Sequence, residues 1–126
     1  MPEVVYSEET LKTQDGIELF CRVRLPGGPS EADDAGTGSG AGTGSGTNAG
    51  AGRVRALVII CHGQGDHSGR HAHVAQFFAE RGYAVYAYDH RGQGKSGGVR
   101  GHVDRWTQYY DDLWLVIRTA KERHSG

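Results

Sequence analysis

The chain has 126 residues, with 14 Lys and Arg against 15 Asp and Glu and a formal net charge of −1. That balance excludes binding to nucleic acid or to an anionic membrane by bulk charge, and the length excludes more than one domain of ordinary size. No apolar run approaches the roughly 18 residues of a membrane span, and the polar opening "MPEVVYSEETLK" lacks the apolar stretch of a signal peptide, so the sequence predicts a cytoplasmic chain.

Thr10 to Leu25, "TLKTQDGIELFCRVRL", predicts a hairpin. Asp15-Gly16 is a strong turn dipeptide, and Ile17, Leu19, Cys21, Val23 and Leu25 alternate with polar residues and Phe20. The stretch at about 27–52 is a low-complexity insert of Gly, Ser, Thr and Ala, with almost nothing to bury, and it predicts a disordered loop. Ala56 to Cys61, "ALVIIC", is a continuous apolar run of the kind found in a strand covered on both faces. Val74, Phe77 and Phe78 then repeat at helical spacing up to Gly82, which suits the position just past a helix end. Tyr83 to Tyr88, "YAVYAY", is a second buried strand. From Asp104 as N-cap, a stripe of Trp106, Tyr109, Tyr110, Leu113, Val116, Ile117 and Ala120 predicts a long helix with those residues, aromatics included, in the core. Lys121 and Arg123 fall in its last turn, where cations suit the helix dipole. Cys21 and Cys61 lie in apolar runs, which predicts two reduced, buried thiols. The order hairpin, strand, helix, strand, helix implies an α/β fold with a parallel strand pair.

The loop after the second buried strand, "YDHRGQGKSGG", matches three short patterns at once. A P-loop requires glycine five positions before Gly94, where Asp89 stands. A dinucleotide fingerprint requires its glycines to join strand directly to helix, and "SGGVRGH" intervenes. Gly94, Ser96 and Gly98 satisfy G-x-S-x-G, but Ser96 sits inside a glycine-rich excursion and not at the strand-to-helix turn of a nucleophile elbow. Ser96 is therefore read as a turn-stabilising hydroxyl. His62, His67, His71, His73, His90 and His102 invite a metal site, yet no carboxylate or thiol stands at a matching spacing.

A single pattern joins both loops. "HGQGDHSGRHAHVAQFFAERGYAVYAYDHRGQGKSGGVRGHVDRW" resembles the α/β-hydrolase superfamily, in particular its monoacylglycerol lipase and lysophospholipase-like group (the serine aminopeptidase S33, or Hydrolase_4, family). That group carries HGxGEHSGRY, GYxVYAxDHRGHGxS and G-x-RGHV in this order; the early hairpin and the "YYDDL" helix fit as well. Asp66 for glutamate, His71 for tyrosine and Gln93 for histidine are the departures. The resemblance implies residues 1–126 as a partial α/β-hydrolase domain, the N-terminal part of the sheet, incomplete without the later strands. It accounts for His62 and His67 without a metal.

The same resemblance implies a division of labour. Acyl transfer needs two backbone donors for the oxyanion, one of them from the loop after the third strand. By resemblance that donor is the N–H of Gln64, with His62, Gly63 and Gly65 shaping its loop and Asp89 and Arg91 supporting the neighbouring one. The family's serine, acid and histidine follow in that order from the fifth strand onward, beyond Gly126, so the isolated chain is expected to lack a triad and to be inactive. The implied reaction is ester hydrolysis of a monoacylglycerol or lysophospholipid, without cofactor or metal, in an enzyme that contacts membranes peripherally. An alternative is a non-catalytic short product acting as an interaction module: without the fifth strand, "ALVIIC" becomes a bare sheet edge that drives self-association.

Overall fold

The computed structural model describes residues 3–27 and 54–124. The low-complexity insert lies outside the described residues except for Gly27. Strand β1 (Val4–Lys12) and strand β2 (Glu18–Pro26) form the hairpin, paired from Val4↔Pro26 to Lys12↔Glu18. The strands run further than the sequence pattern indicates, because β1 begins six residues before Thr10. Thr13 N–H donates to Ile17 O (2.8 Å) and Gly16 N–H to Thr13 O (3.0 Å), closing the turn around Asp15-Gly16. Leu19, Cys21, Val23 and Leu25 are buried while the residues between them, Phe20, Arg22 and Arg24, are not, as alternation predicts.

Strand β3 (Ala56–Cys61) passes through a 3-10 turn (Ser68–His71) to helix α1 (Ala72–Glu80) and strand β4 (Tyr83–Tyr88), and helix α2 (Trp106–Arg123) follows. The sheet order is β1-β2-β4-β3, with β3 and β4 parallel and the other pairs antiparallel. The sheet is thus mixed, a parallel pair extended by a hairpin. Strand β4 is its centre: Ala84, Tyr86 and Tyr88 join the hairpin residues, Val116 and Ala120 of α2 on one face, and Val85 joins Ala75 and Ala79 of α1 on the other. Each large apolar side chain fully buried there contributes about 1.5–3 kcal/mol. Gly82 occupies the position after the α1 cap, as expected.

Three expectations are corrected. Cys61, at the end of strand β3, is exposed although Cys21 is buried, both being free thiols; the strand itself is half-buried at the border of the sheet, with Leu57 and Ile59 against one core cluster and Val58 and Ile60 against the other. Helix α2 turns Trp106 and Tyr110 outward, at 70% and 67% exposure, and buries Gln108 and Asp112 in their place, while Val116 and Ala120 are buried as expected. The N-cap is Arg105, not Asp104. Gln108 Oε1 accepts from the amides of Asp104 (3.1 Å) and Arg105 (3.3 Å), so a buried glutamine ties down the helix entrance.

Candidate functional site

Strands β3 and β4 are parallel and in register to Cys61↔Tyr88, so the loops leaving their carboxyl ends emerge side by side. Two histidines clamp them. The backbone N–H of His90 donates to His62 Nε2 (2.9 Å), and His90 Nε2–H donates to the His62 carbonyl (3.0 Å). Because His62 Nε2 accepts, its proton resides on Nδ1, which donates to Gly63 O (2.7 Å). Burial, with His62 alongside, holds the His90 imidazole below its usual range.

The next four residues make a tight turn. Asp66 N–H donates to Gly63 O (3.1 Å), which places Gln64 and Gly65 at its centre. Gly65 has φ 75°, the value a type II turn demands at its third position and glycine supplies without strain. Its N–H donates to the Oε1 of Gln93, from the β4 loop (3.0 Å). The N–H of Gln64, at the exposed tip, has no acceptor among the described residues. Beyond the turn, Asp66 brackets the 3-10 segment, accepting from the N–H of His67 just before it (2.8 Å) and pairing with Nε2 of His71 at its end (3.1 Å).

Asp89 and Arg91 shape the second loop from within. Asp89 is fully buried, and its carboxylate accepts from Ser68 N–H (2.6 Å) and Lys95 N–H (2.8 Å), joining the two loops. Burial alone would raise its pKa, but these amide donors outweigh it and hold the carboxyl below its usual range. A side chain on Gly94 would collide with this carboxylate, its Cβ lying 2.6 Å from Asp89 Cγ. Arg91 makes a bidentate pair with Asp112 of α2, both contacts 2.8 Å, and reaches Asp15 of the hairpin turn (2.8 and 3.2 Å). These carboxylates keep the guanidinium protonated beyond its ordinary range.

Ser96 is buried and committed. Its Oγ donates to Asp89 O (2.6 Å) and accepts from Phe20 N–H (2.8 Å), the turn-stabilising role expected of it. A cleft of about 670 Å³ between the hairpin turn and α2 includes Arg91, Asp15 and Asp112 but neither His62 nor Gln64. Among the described residues, no three His, Cys, Asp or Glu side chains converge as a metal site, and no helix is long and apolar enough to cross a membrane. The structure therefore unites His62, Gly63, Gln64 and Gly65 with Asp89, and sets Arg91 behind them as an anchor. Sequence reasoning missed His90 and Gln93, whose partners lie 28 residues away.

The family described as serine aminopeptidase S33 (Hydrolase_4) matches residues 52–126. The chain belongs to this S33 hydrolase family. Among S33-like relatives, a monoacylglycerol lipase of Mycolicibacterium smegmatis is 41% identical over 70 residues, covering 56% of this chain and 25% of its own length. A monoglyceride lipase of Rattus norvegicus is 33% identical over 112 residues, 89% of this chain and 29% of its own. The fold is likewise similar to a thermostable carboxyl esterase of Bacillus coagulans, with a TM-score of 0.64 at 19% identity, over 95% of this chain and 33% of that one. The S33 chain described above thus spans about a quarter to a third of the length of these relatives and matches the N-terminal region of a monoacylglycerol lipase-like α/β-hydrolase.

Proposed function

We propose that this chain is the N-terminal segment of a monoacylglycerol lipase-like serine hydrolase and that the backbone N–H of Gln64 is one of its two oxyanion donors. The observation that carries this reading is an amide with no acceptor among the described residues, at the tip of a turn that is itself pinned by hydrogen bonds. Preorganisation of this kind lets a donor stabilise developing charge without rearranging when the charge appears.

In the reaction proposed, a serine from outside these residues attacks the ester carbonyl of a monoacylglycerol or lysophospholipid, and its proton passes to a histidine. The carbonyl oxygen becomes an anion facing the Gln64 amide. Collapse expels the glycerol-side alkoxide, which takes the proton, and leaves an acyl-enzyme that water then cleaves. No cofactor enters. The chain acts in the cytoplasm, with the enzyme meeting its lipid substrate at a membrane surface.

The test is to express the longest polypeptide whose transcript carries this segment and to assay monoacylglycerol hydrolysis with and without Gln64→Pro, which deletes the one amide. A fall in kcat of about 10²–10³ is expected. Unchanged turnover in the variant, or no esterase activity in any polypeptide carrying the segment, defeats the reading.

A further inference from the structure

We propose that Gln93 is a positioning residue for the oxyanion turn, resting on the proposed role of Gln64. Gln93 is 7% exposed, and its side chain crosses from the β4 loop to accept the Gly65 N–H through Oε1 at 3.0 Å. Its Nε2 is buried and has no hydrogen-bond partner among the described residues. A buried amide with both N–H groups unpaired is unfavourable, so the one useful contact this side chain makes is the Oε1 bond to the turn.

That contact acts where the turn is free to rearrange. A turn centred on Gln64 and Gly65 interconverts between two forms by rotating the peptide between them, and the Gly65 N–H belongs to that peptide. Fixing it with an acceptor holds φ of Gly65 at its observed 75° and stops the rotation. The Gln64 amide belongs to the adjoining peptide and inherits the constraint. The clamp of His62 against His90 secures the approach to the same turn, so its entry and its centre are both fastened by a single neighbouring loop. Gln93 touches no substrate in this scheme; it acts through Gly65.

The physics separates positioning from stability. Gln93→Met deletes the acceptor and also the unpaired donor, while the exposed Gly65 amide passes to water. The melting temperature is therefore expected to stay within about 3 °C. Hydrogen exchange at Gly65, measured by NMR on the 126-residue chain, is expected to accelerate about tenfold, and Gln93→His, which restores an acceptor of similar reach, to return it. In the esterase-active polypeptide, Gln93→Met is expected to lower kcat about five- to tenfold with KM unchanged, and Gln93→His to recover it. Unaltered exchange at Gly65 in the Met variant, or a loss explained by a fall in melting temperature, overturns the proposal. If Gln64→Pro abolishes turnover and Gln93→Met leaves it intact, only the role of Gln93 fails. If Gln64→Pro has no effect, the oxyanion reading fails and Gly65 exchange decides whether Gln93 holds the turn.

Discussion

Replacing Asp112 by alanine tests how the β4 loop is held. In the folded chain Arg91 and Asp112 are nearly free of solvent, at 7% and 1% side-chain exposure, and share two 2.8 Å hydrogen bonds, whereas Asp15 is 48% exposed. Removing one member of a buried pair strands the other and costs about 3–5 kcal/mol. The remaining contact to Asp15 offsets about 1 kcal/mol, the value of a partly exposed pair. Asp112→Ala should therefore destabilise by roughly 2–4 kcal/mol, a fall in melting temperature of about 10–20 °C for a domain this small. Asp15→Ala should cost less than about 1 kcal/mol. The double replacement Arg91→Met with Asp112→Leu should regain most of the loss, because no charge then remains buried. Thermal and urea unfolding followed by circular dichroism measure all four chains. Equal effects of the two single carboxylate variants, or an Asp112→Ala effect under about 1 kcal/mol, would refute the reasoning.

Acid should weaken the fold early. Burial keeps both His90 and His124 below the usual imidazole range, His62 adding to the effect at the first and Arg123 at the second, so their stabilising contribution is complete above about pH 6.5 and disappears as pH drops through the lowered folded-state values. Urea unfolding at pH 7.5 and 5.5 should show lower stability in acid and a smaller difference in His90→Gln; a flat profile in the unmodified chain contradicts this. Ser96→Ala strips Phe20 N–H of its acceptor and should cost about 1–3 kcal/mol in urea unfolding, while a fluorophosphonate probe leaves Ser96 of the unmodified chain unlabelled. Iodoacetamide should alkylate Cys61 in the folded chain and Cys21 only after unfolding, since burial pushes the Cys21 thiol up to about 12; mass spectrometry of the peptides settles the order.

Much of the fold is written in local pattern. Alternation from Leu19 to Leu25 marks the buried face of β2, and the two apolar runs around a helical repeat mark the parallel pair. The insertion of β4 between β2 and β3 leaves no trace in any window, because it depends on pairings such as Cys21↔Tyr88 between distant segments. Apolarity also misplaces the inner face of α2. Gln108 and Asp112 are inside because backbone amides and a guanidinium satisfy them, and a hydropathy stripe counts such residues as outward and Trp106 as inward. Within the candidate site, His62, Gly63, Gln64 and Gly65 were readable as a motif and Asp89 and Arg91 as loop supports. Gln93 was visible only as a departure from the family pattern, since what it accepts is a backbone proton that no side-chain code reveals.

The border position of β3 has a directional meaning. A segment that lengthens the sheet by lying parallel to β3, in the register β4 keeps with it and of the same length, comes within about 4.8 Å of it and finishes level with Cys61. The residue leaving the end of such a segment arrives next to the turn that carries the Gln64 amide. Backbone pairing along the rim that β3 leaves open among the described residues would thus bring a newcomer's side chain to that amide without any further recognition between them.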